Sequence, residues 1–384
     1  MTARQTSTAH APGRDEETAT LFSPITLGAI ALHHRVVHAP TTRLRANSDD
    51  TPSAMMVDYY GQRASAGGLI ITESAHPSYD SRGYEGAPGI YTEAHVAGWK
   101  RISDAVHGKG GLLIMQIAHD GRQSHVDLSH GAAPVAPSVV PFEGQAFTKD
   151  GWVPVSPHRA LAVEEITGLV ESFRRAAERA KAAGMDGVEL HNANGYLADT
   201  FLQDGTNKRT DRYGGSIENR MRFSTELVEA LVSVWGPGRV GVRVSPSGQW
   251  GSISDSDPEA TFGAFAERLN RYPLAYLHVI EPRVKGVETI GEGHDPVAST
   301  FLRRIYTGPI IAAGGFDRRG ADAILKRGDA DLVAFGRFFT SNPDLPERLR
   351  RNLPLTPYHR EAFWGGTERW YSDFEPHQAP STTR

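Results

Sequence analysis

The chain has 384 residues, enough for two or three average domains or for one barrel of alternating strands and helices. Hydrophobic residues at 39% supply ample core, and a net charge of −4 gives no electrostatic footprint for nucleic acid or an anionic membrane. The absence of cysteine excludes disulfides, thiolate metal sites, cysteine-ligated iron–sulfur clusters and cysteine nucleophiles.

Residues 1–20 carry three acidic residues and lack an apolar core segment, so they read as a disordered tail rather than a signal peptide. No apolar run is long enough to span a bilayer, and a cytoplasmic protein is expected. From residue 35 onward, short Val-, Ile- and Leu-rich segments recur: RVVHA (35–39), GLIIT (68–72), LLIMQI (112–117), GVELH (187–191), RVGVRV (239–244), AYLHV (275–279), PIIAA (309–313) and DLVAF (331–335). Each suits a strand buried on both faces. Amphipathic helical patterns lie between most of them, at 52–65, 93–109, 163–184, 217–235, 257–271 and 318–328. Eight strands alternating with helices predict an α/β chain folded as a single TIM (β/α)8 barrel over 21–374, with 375–384 as a C-terminal tail. Residues 119–160 are rich in Pro and Gly but carry interleaved Val, Phe and Trp, which predicts an ordered capping insertion after the third strand.

In such a barrel, polar residues at the carboxyl ends of strands are candidates for function. That filter selects Thr41, Thr42 and Arg43, then Glu73, Gln116 and His119, then His191, Asn194 and Arg243. Strand alternation sends Val188, Leu190, Val240, Val242 and Val244 outward, leaving Glu189, His191 and Arg243 inside. A guanidinium there needs an anion, either Glu189 or a ligand that carries or develops negative charge. The turns AAGGF (312–316) and AFGRF (334–338), with Arg337 beside the second, fall where barrels commonly bind phosphate. For His191 and Asn194 the ordinary explanation is a histidine satisfied by backbone and a helix-capping asparagine. The other is a pair of donors beside Tyr196, whose phenol could donate a proton. A metal site is disfavoured, because the nearest His, Asp and Glu make no compact set of three or four ligands.

The motifs YYGQRASAGGLIITES, HNANGYLADTFL, NKRTDRYGGSIENRMRF, RVGVRVSP and FGRFFTSNPDLPERLRRNLPL occur in order, and over roughly 21–374 the chain resembles the Old Yellow Enzyme family. The resemblance implies tightly held FMN, reduced by NADPH or NADH, and transfer of hydride from the flavin N5 to the β-carbon of an activated alkene such as an α,β-unsaturated carbonyl, maleimide or nitroalkene. It implies that Pro40, Thr41 and Thr42 line the flavin, that Gly67 or Gly68 and Gln116 meet its pyrimidine edge, and that Arg243 sits by N1 and O2. Gly314, Gly315, Gly336 and Arg337 are then phosphate ligands, His191 and Asn194 hold the substrate oxygen, and Tyr196 protonates the α-carbon. The net addition is expected to be trans. Departures fall in the substrate pocket: Ala118 stands where many members have Trp, with Trp250 and Trp364 at other wall positions. The same machinery could serve nitrate ester or nitroaromatic reduction, and a non-catalytic flavin-binding protein is the alternative of another class. A monomer or homodimer is expected.

Overall fold

A computed structural model describes residues 20–282, 284–285, 288–289 and 298–377. The tail segments 1–19 and 378–384 lie outside the described residues. The chain opens with a hairpin, β1 (Ile25–Leu27) and β2 (Ile30–Leu32), before the first barrel strand β3 (Val36–His38). There follow α1 (Ala54–Arg63), β4 (Leu69–Ile71), α2 (Glu93–His107) and β5 (Leu112–Ile117). The insertion carries β6 (Val135–Ala136), β7 (Gln145–Thr148), β8 (Gly151–Pro154) and β9 (Arg159–Ala160). Next come α3 (Val163–Ala182), β10 (Gly187–Asn192), α4 (Leu197–Leu202), α5 (Ile217–Arg220), α6 (Arg222–Trp235) and β11 (Val240–Val244). The remainder is α7 (Pro258–Leu269), β12 (Tyr276–Ile280), β13 (Val284–Lys285), β14 (Glu288–Thr289), α8 (Ser299–Leu302), β15 (Ile310–Ala313), α9 (Arg318–Arg327), β16 (Leu332–Phe335), α10 (Arg337–Ser341) and α11 (Leu345–Arg351).

Strands β3, β4, β5, β10, β11, β12, β15 and β16 pair in parallel and close into a barrel. These are the eight predicted segments. Alternation divides their side chains as expected: Val188, Leu190, Val240, Val242 and Val244 pack outward with helix residues such as Trp99, Phe173 and Phe223. Inward-facing Val37, Ile71, Ile114, Tyr276 and Ile311 form a second cluster with Leu27, Ile30 and Leu32. The β1–β2 hairpin therefore plugs the amino end of the barrel, each buried aliphatic side chain contributing roughly 1.5–3 kcal/mol. Its three-residue strands are too short to leave a period-two signal.

The insertion carries the antiparallel β7–β8 pair and the parallel β6–β9 pair. One helix predicted over 217–235 is divided at Met221, where Arg220 turns back to donate to the Leu202 carbonyl at 2.9 Å and Thr261 Oγ1 at 2.9 Å.

Candidate active site

The carboxyl ends of the strands surround a cavity of about 410 Å³. Among its lining residues are Pro40, Thr41, Thr42, Asn194, Tyr196 and Arg243, together with Trp250, Gly314, Gly315, Gly336, Arg337 and Trp364. Below it lies a polar layer. Ser74 Oγ donates to Gln116 Oε1 at 2.7 Å, Gln116 Nε2 donates to Glu189 Oε1 at 2.7 Å, and His278 Nδ1 lies 2.8 Å from Glu189 Oε2. Burial alone would raise the Glu189 pKa, but His278, Arg243 and Gln116 outweigh it and hold the carboxyl below its usual value. Burial lowers the His278 pKa in turn, with Glu189 opposing the shift.

Arg243 projects from β11 into the cavity wall, half-buried. The sequence left open whether Glu189 or a ligand meets it. Glu189 accepts from Gln116 and His278 and acts on Arg243 through its charge, while the buried Arg243 Nε has no hydrogen-bond partner among the described residues. Desolvation lowers the Arg243 pKa while Glu189 opposes the shift. Thr41 Oγ1 is likewise buried and unpartnered. An unpartnered guanidinium nitrogen and hydroxyl at one cavity fit a group with acceptor atoms and negative charge, such as FMN. The two glycine turns line the same cavity. Gly314 and Gly315 adopt φ of 129° and 65°, and a Cβ on Gly336 would lie 3.0 Å from Thr41 Cγ2.

Other polar strand-end residues serve structure. Glu73 accepts from the Arg43 and Leu44 amides at 3.0 and 3.1 Å and from Tyr60 Oη at 3.2 Å, which pins the loop carrying Thr41 and Thr42. Arg43 is buried against Tyr59 and Tyr371 and donates to the Phe363 and Ala362 carbonyls, tying that loop to the segment of Trp364. His119, lowered to about 4 by burial, accepts from the Gly121 amide.

Two expectations need correction. Gly67 lies at the amino end of β4, where its amide donates to the Gly110 carbonyl and its φ of 65° places it against His33. It is on the far end of the barrel from the cavity; the Gln116 side chain is met instead by Ser74, beyond the carboxyl end of β4. Ala118 is fully buried, with its amide held by the Ala75 carbonyl, and like Gln116 and His191 it is not among the residues that line the cavity. The aromatic wall is built instead by Trp364, Tyr84 and Trp152, the last on β8 of the insertion. Trp152 lies 5.3 Å from Trp364, 5.2 Å from Phe147 and 6.0 Å from Tyr84, ring to ring. Neither Tyr84 nor Trp152 was singled out from sequence, since both stand on segments without periodicity.

The ordinary explanation for HNANGY fails on geometry. His191 is the penultimate residue of β10, with Nδ1 buried and unpartnered among the described residues, and Tyr196, not Asn194, precedes the first turn of α4. Asn194 has φ of 58°, its amide donates to Ser245 Oγ at 2.8 Å and its carbonyl accepts from Gln123 Nε2 at 2.9 Å, which aims the side chain at the cavity. Gly195 follows with φ of 69° and has the Trp250 carbonyl 2.8 Å from where a Cβ would stand. The rings of His191 and Tyr196 are 5.0 Å apart. Burial, then Arg243, lowers the His191 pKa well below its usual value, so the imidazole is neutral. Burial, then Tyr84, raises the Tyr196 pKa well above its usual value, and its hydroxyl lies 3.1 Å from that of Tyr84.

Residues 20–356 match the model of the NADH:flavin oxidoreductase / NADH oxidase family. The chain belongs to the Old Yellow Enzyme family. It is 41% identical over 376 residues to the flavin oxidoreductase hxnT of Emericella nidulans, covering 92% of this chain and 97% of that one. It is 42% identical to 12-oxophytodienoate reductase 1 of Oryza sativa subsp. japonica, covering 92% and 93%. Among solved structures, morphinone reductase in complex with tetrahydroNAD superposes with a TM-score of 0.86 at 45% identity, covering 93% and 98%. An old yellow enzyme homologue from Zymomonas mobilis gives 0.88 at 40% identity, covering 92% and 99%. As a member of this family the protein is an FMN-dependent NAD(P)H oxidoreductase of the alkene-reductase type. No helix among the described residues is long and apolar enough to cross a membrane.

Proposed function

We propose that the cavity takes an α,β-unsaturated carbonyl, maleimide or nitroalkene, and that His191, Asn194 and Tyr196 carry its activation. Bound FMN, once reduced by NADPH or NADH, supplies the hydride. Thr42, Gln116 and Arg243 would hold its ring system, and Gly314, Gly315, Gly336 and Arg337 its phosphate. The neutral His191 ring and the Asn194 amide act as donors to the substrate oxygen, where negative charge builds as hydride arrives at the β-carbon. Tyr196, protonated throughout the physiological range, gives its proton to the α-carbon.

The observation that carries this reading is the arrangement of the β10 end: an unpartnered buried histidine and a cavity-facing asparagine flank a phenol with no basic partner among the described residues. The test is anaerobic reoxidation of the NADPH-reduced holoprotein. Rapid reoxidation by 2-cyclohexenone or N-ethylmaleimide is expected; no acceleration by either compound would refute the proposed substrate class.

A further inference from the structure

The Tyr196 hydroxyl meets only one other side-chain hydroxyl among the described residues, that of Tyr84 at 3.1 Å. Tyr84 is held from both sides. Its backbone bridges to Phe147 of the insertion, and the preceding residue, Gly83, donates its amide to Asp120 Oδ2 at 2.6 Å. Gly83 has no slack, since a Cβ there would stand 2.1 Å from the Gln123 carbonyl and 2.9 Å from Asp120 Oδ2. The same Asp120 oxygen lies 3.1 Å from His76 Nε2, and His76 Nδ1 lies 3.3 Å from the Pro88 carbonyl. A carbonyl and a carboxylate only accept, so the ring satisfies both contacts only with a hydrogen on each nitrogen, as imidazolium. Both side chains are 3% exposed.

We propose that His76 and Asp120 form a buried, charged positioning pair that fixes the Gly83–Tyr84 backbone and thereby orients the Tyr196 hydroxyl for proton delivery. The inference rests on Tyr196 being the acid. His76 follows β4 and Asp120 follows β5, so the pair joins two strand ends beside the cavity. Facing groups are consistent with a charged ring. Burial disfavours the cation, but Asp120, the Pro88 carbonyl and Asp50 outweigh it, and the His76 pKa ends above its usual value. Asp50 is itself engaged by Arg82 and Tyr91, His119 is lowered to about 4, and His191 is neutral, so neither neighbouring histidine supplies a competing cation. When pH rises through the His76 pKa, the ring loses one of its two donors. Asp120 then holds Gly83 as an uncompensated buried carboxylate.

The experiment compares reoxidation of reduced holoprotein by 2-cyclohexenone, which needs an acid, with reoxidation by a nitroalkene, whose nitronate water can protonate. His76→Gln keeps a neutral donor and Asp120→Asn keeps an acceptor for Gly83, and each is expected to lower the enone rate about tenfold at neutral pH, a fraction of what a placed acid contributes. The nitroalkene rate, measured on the same FMN-loaded sample, serves as the folding control and is expected to change less than about twofold. The wild-type enone rate is expected to fall at alkaline pH to the level of His76→Gln, whose own profile is flat there. Independently, nitrogen NMR of the histidine-labelled holoprotein is expected to show one ring with both nitrogens protonated at neutral pH, absent from His76→Gln. A neutral His76 ring, or an unaltered enone-to-nitroalkene ratio in both variants, overturns the positioning pair. Tyr196→Phe separates the two claims: an unaltered ratio there refutes the acid assignment and the inference with it. A lowered ratio in Tyr196→Phe with none in either His76→Gln or Asp120→Asn refutes the pair alone.

Discussion

Replacing Asp199 with asparagine gives a stability change whose sign and size follow from one buried carboxyl. Asp199 lies fully buried on α4, accepts from the Gly195 amide and Gln203 Nε2, both at 2.8 Å, and so anchors the turn between Asn194 and Tyr196. Burial raises its pKa from 3.8 to about 7, with the bonds from Gly195 and Gln203 opposing the shift. The folded state therefore holds this proton more tightly than the unfolded chain. Stability from this group is present at low pH and is lost as pH rises from about 4 to about 7. With those two pKa values, linkage gives about 2 kcal/mol of stability at pH ~5.5 that is absent at pH ~8. The carboxamide of the variant does not titrate. Urea unfolding of both proteins at saturating FMN should yield a difference, Asp199→Asn minus wild type, that rises by about 2 kcal/mol between those pH values. Histidines and other titrating groups common to both chains cancel in that difference. A flat difference, or one of opposite slope, would refute the assignment of a protonated carboxyl beneath the turn.

Arg243→Met removes the cation whose Nε is unpartnered at the cavity, and FMN affinity is expected to fall about tenfold to a hundredfold, the range for losing a charge-assisted contact. Fluorescence titration of apoprotein measures it, and an unchanged Kd would show that Arg243 meets no flavin atom. Trp152→Ala removes the centre of the Tyr84, Phe147 and Trp364 ring contacts, so KM for enones bearing an aromatic ring should rise about two- to tenfold. Steady-state kinetics should show kcat for 2-cyclohexenone nearly unchanged; an equal effect on both substrates would indicate collapse of the insertion rather than loss of a wall.

The barrel was legible because each of its strands is a short Val-, Ile- and Leu-rich run, and because alternation within GVELH and RVGVRV assigns inside and outside without further information. The same alternation placed Glu189, His191 and Arg243 on the inner face, but it could not say that His278 and Gln116 occupy both carboxylate oxygens. That outcome depends on the register of β5, β10 and β12 around the barrel, which no single segment encodes. Gly67 was misplaced because its flavin role came from the resemblance alone, although it precedes the GLIIT run and so stands at the amino end of that strand, away from the carboxyl ends where function sits. Ser74, Tyr84 and Trp152 lie on loops and on the insertion, where position comes from long-range contacts such as the Tyr84–Phe147 bridge. Ala118 shows the limit of reading a pocket by motif: its place in the chain is fixed, yet whether a methyl reaches the surface is decided by its neighbours.

The central claim is that His191 and Asn194 jointly stabilise charge on the substrate oxygen. The direct measurement is stopped-flow reoxidation of the His191→Ala/Asn194→Ala double variant by 2-cyclohexenone, with FMN content and phenol binding measured on the same sample. The variant is expected to retain FMN, to bind phenols weakly, and to transfer hydride about a hundredfold to a thousandfold more slowly, as loss of oxyanion donors does elsewhere. Wild-type reoxidation by an FMN-loaded double variant would show that the two residues only shape the turn, and would contradict the account.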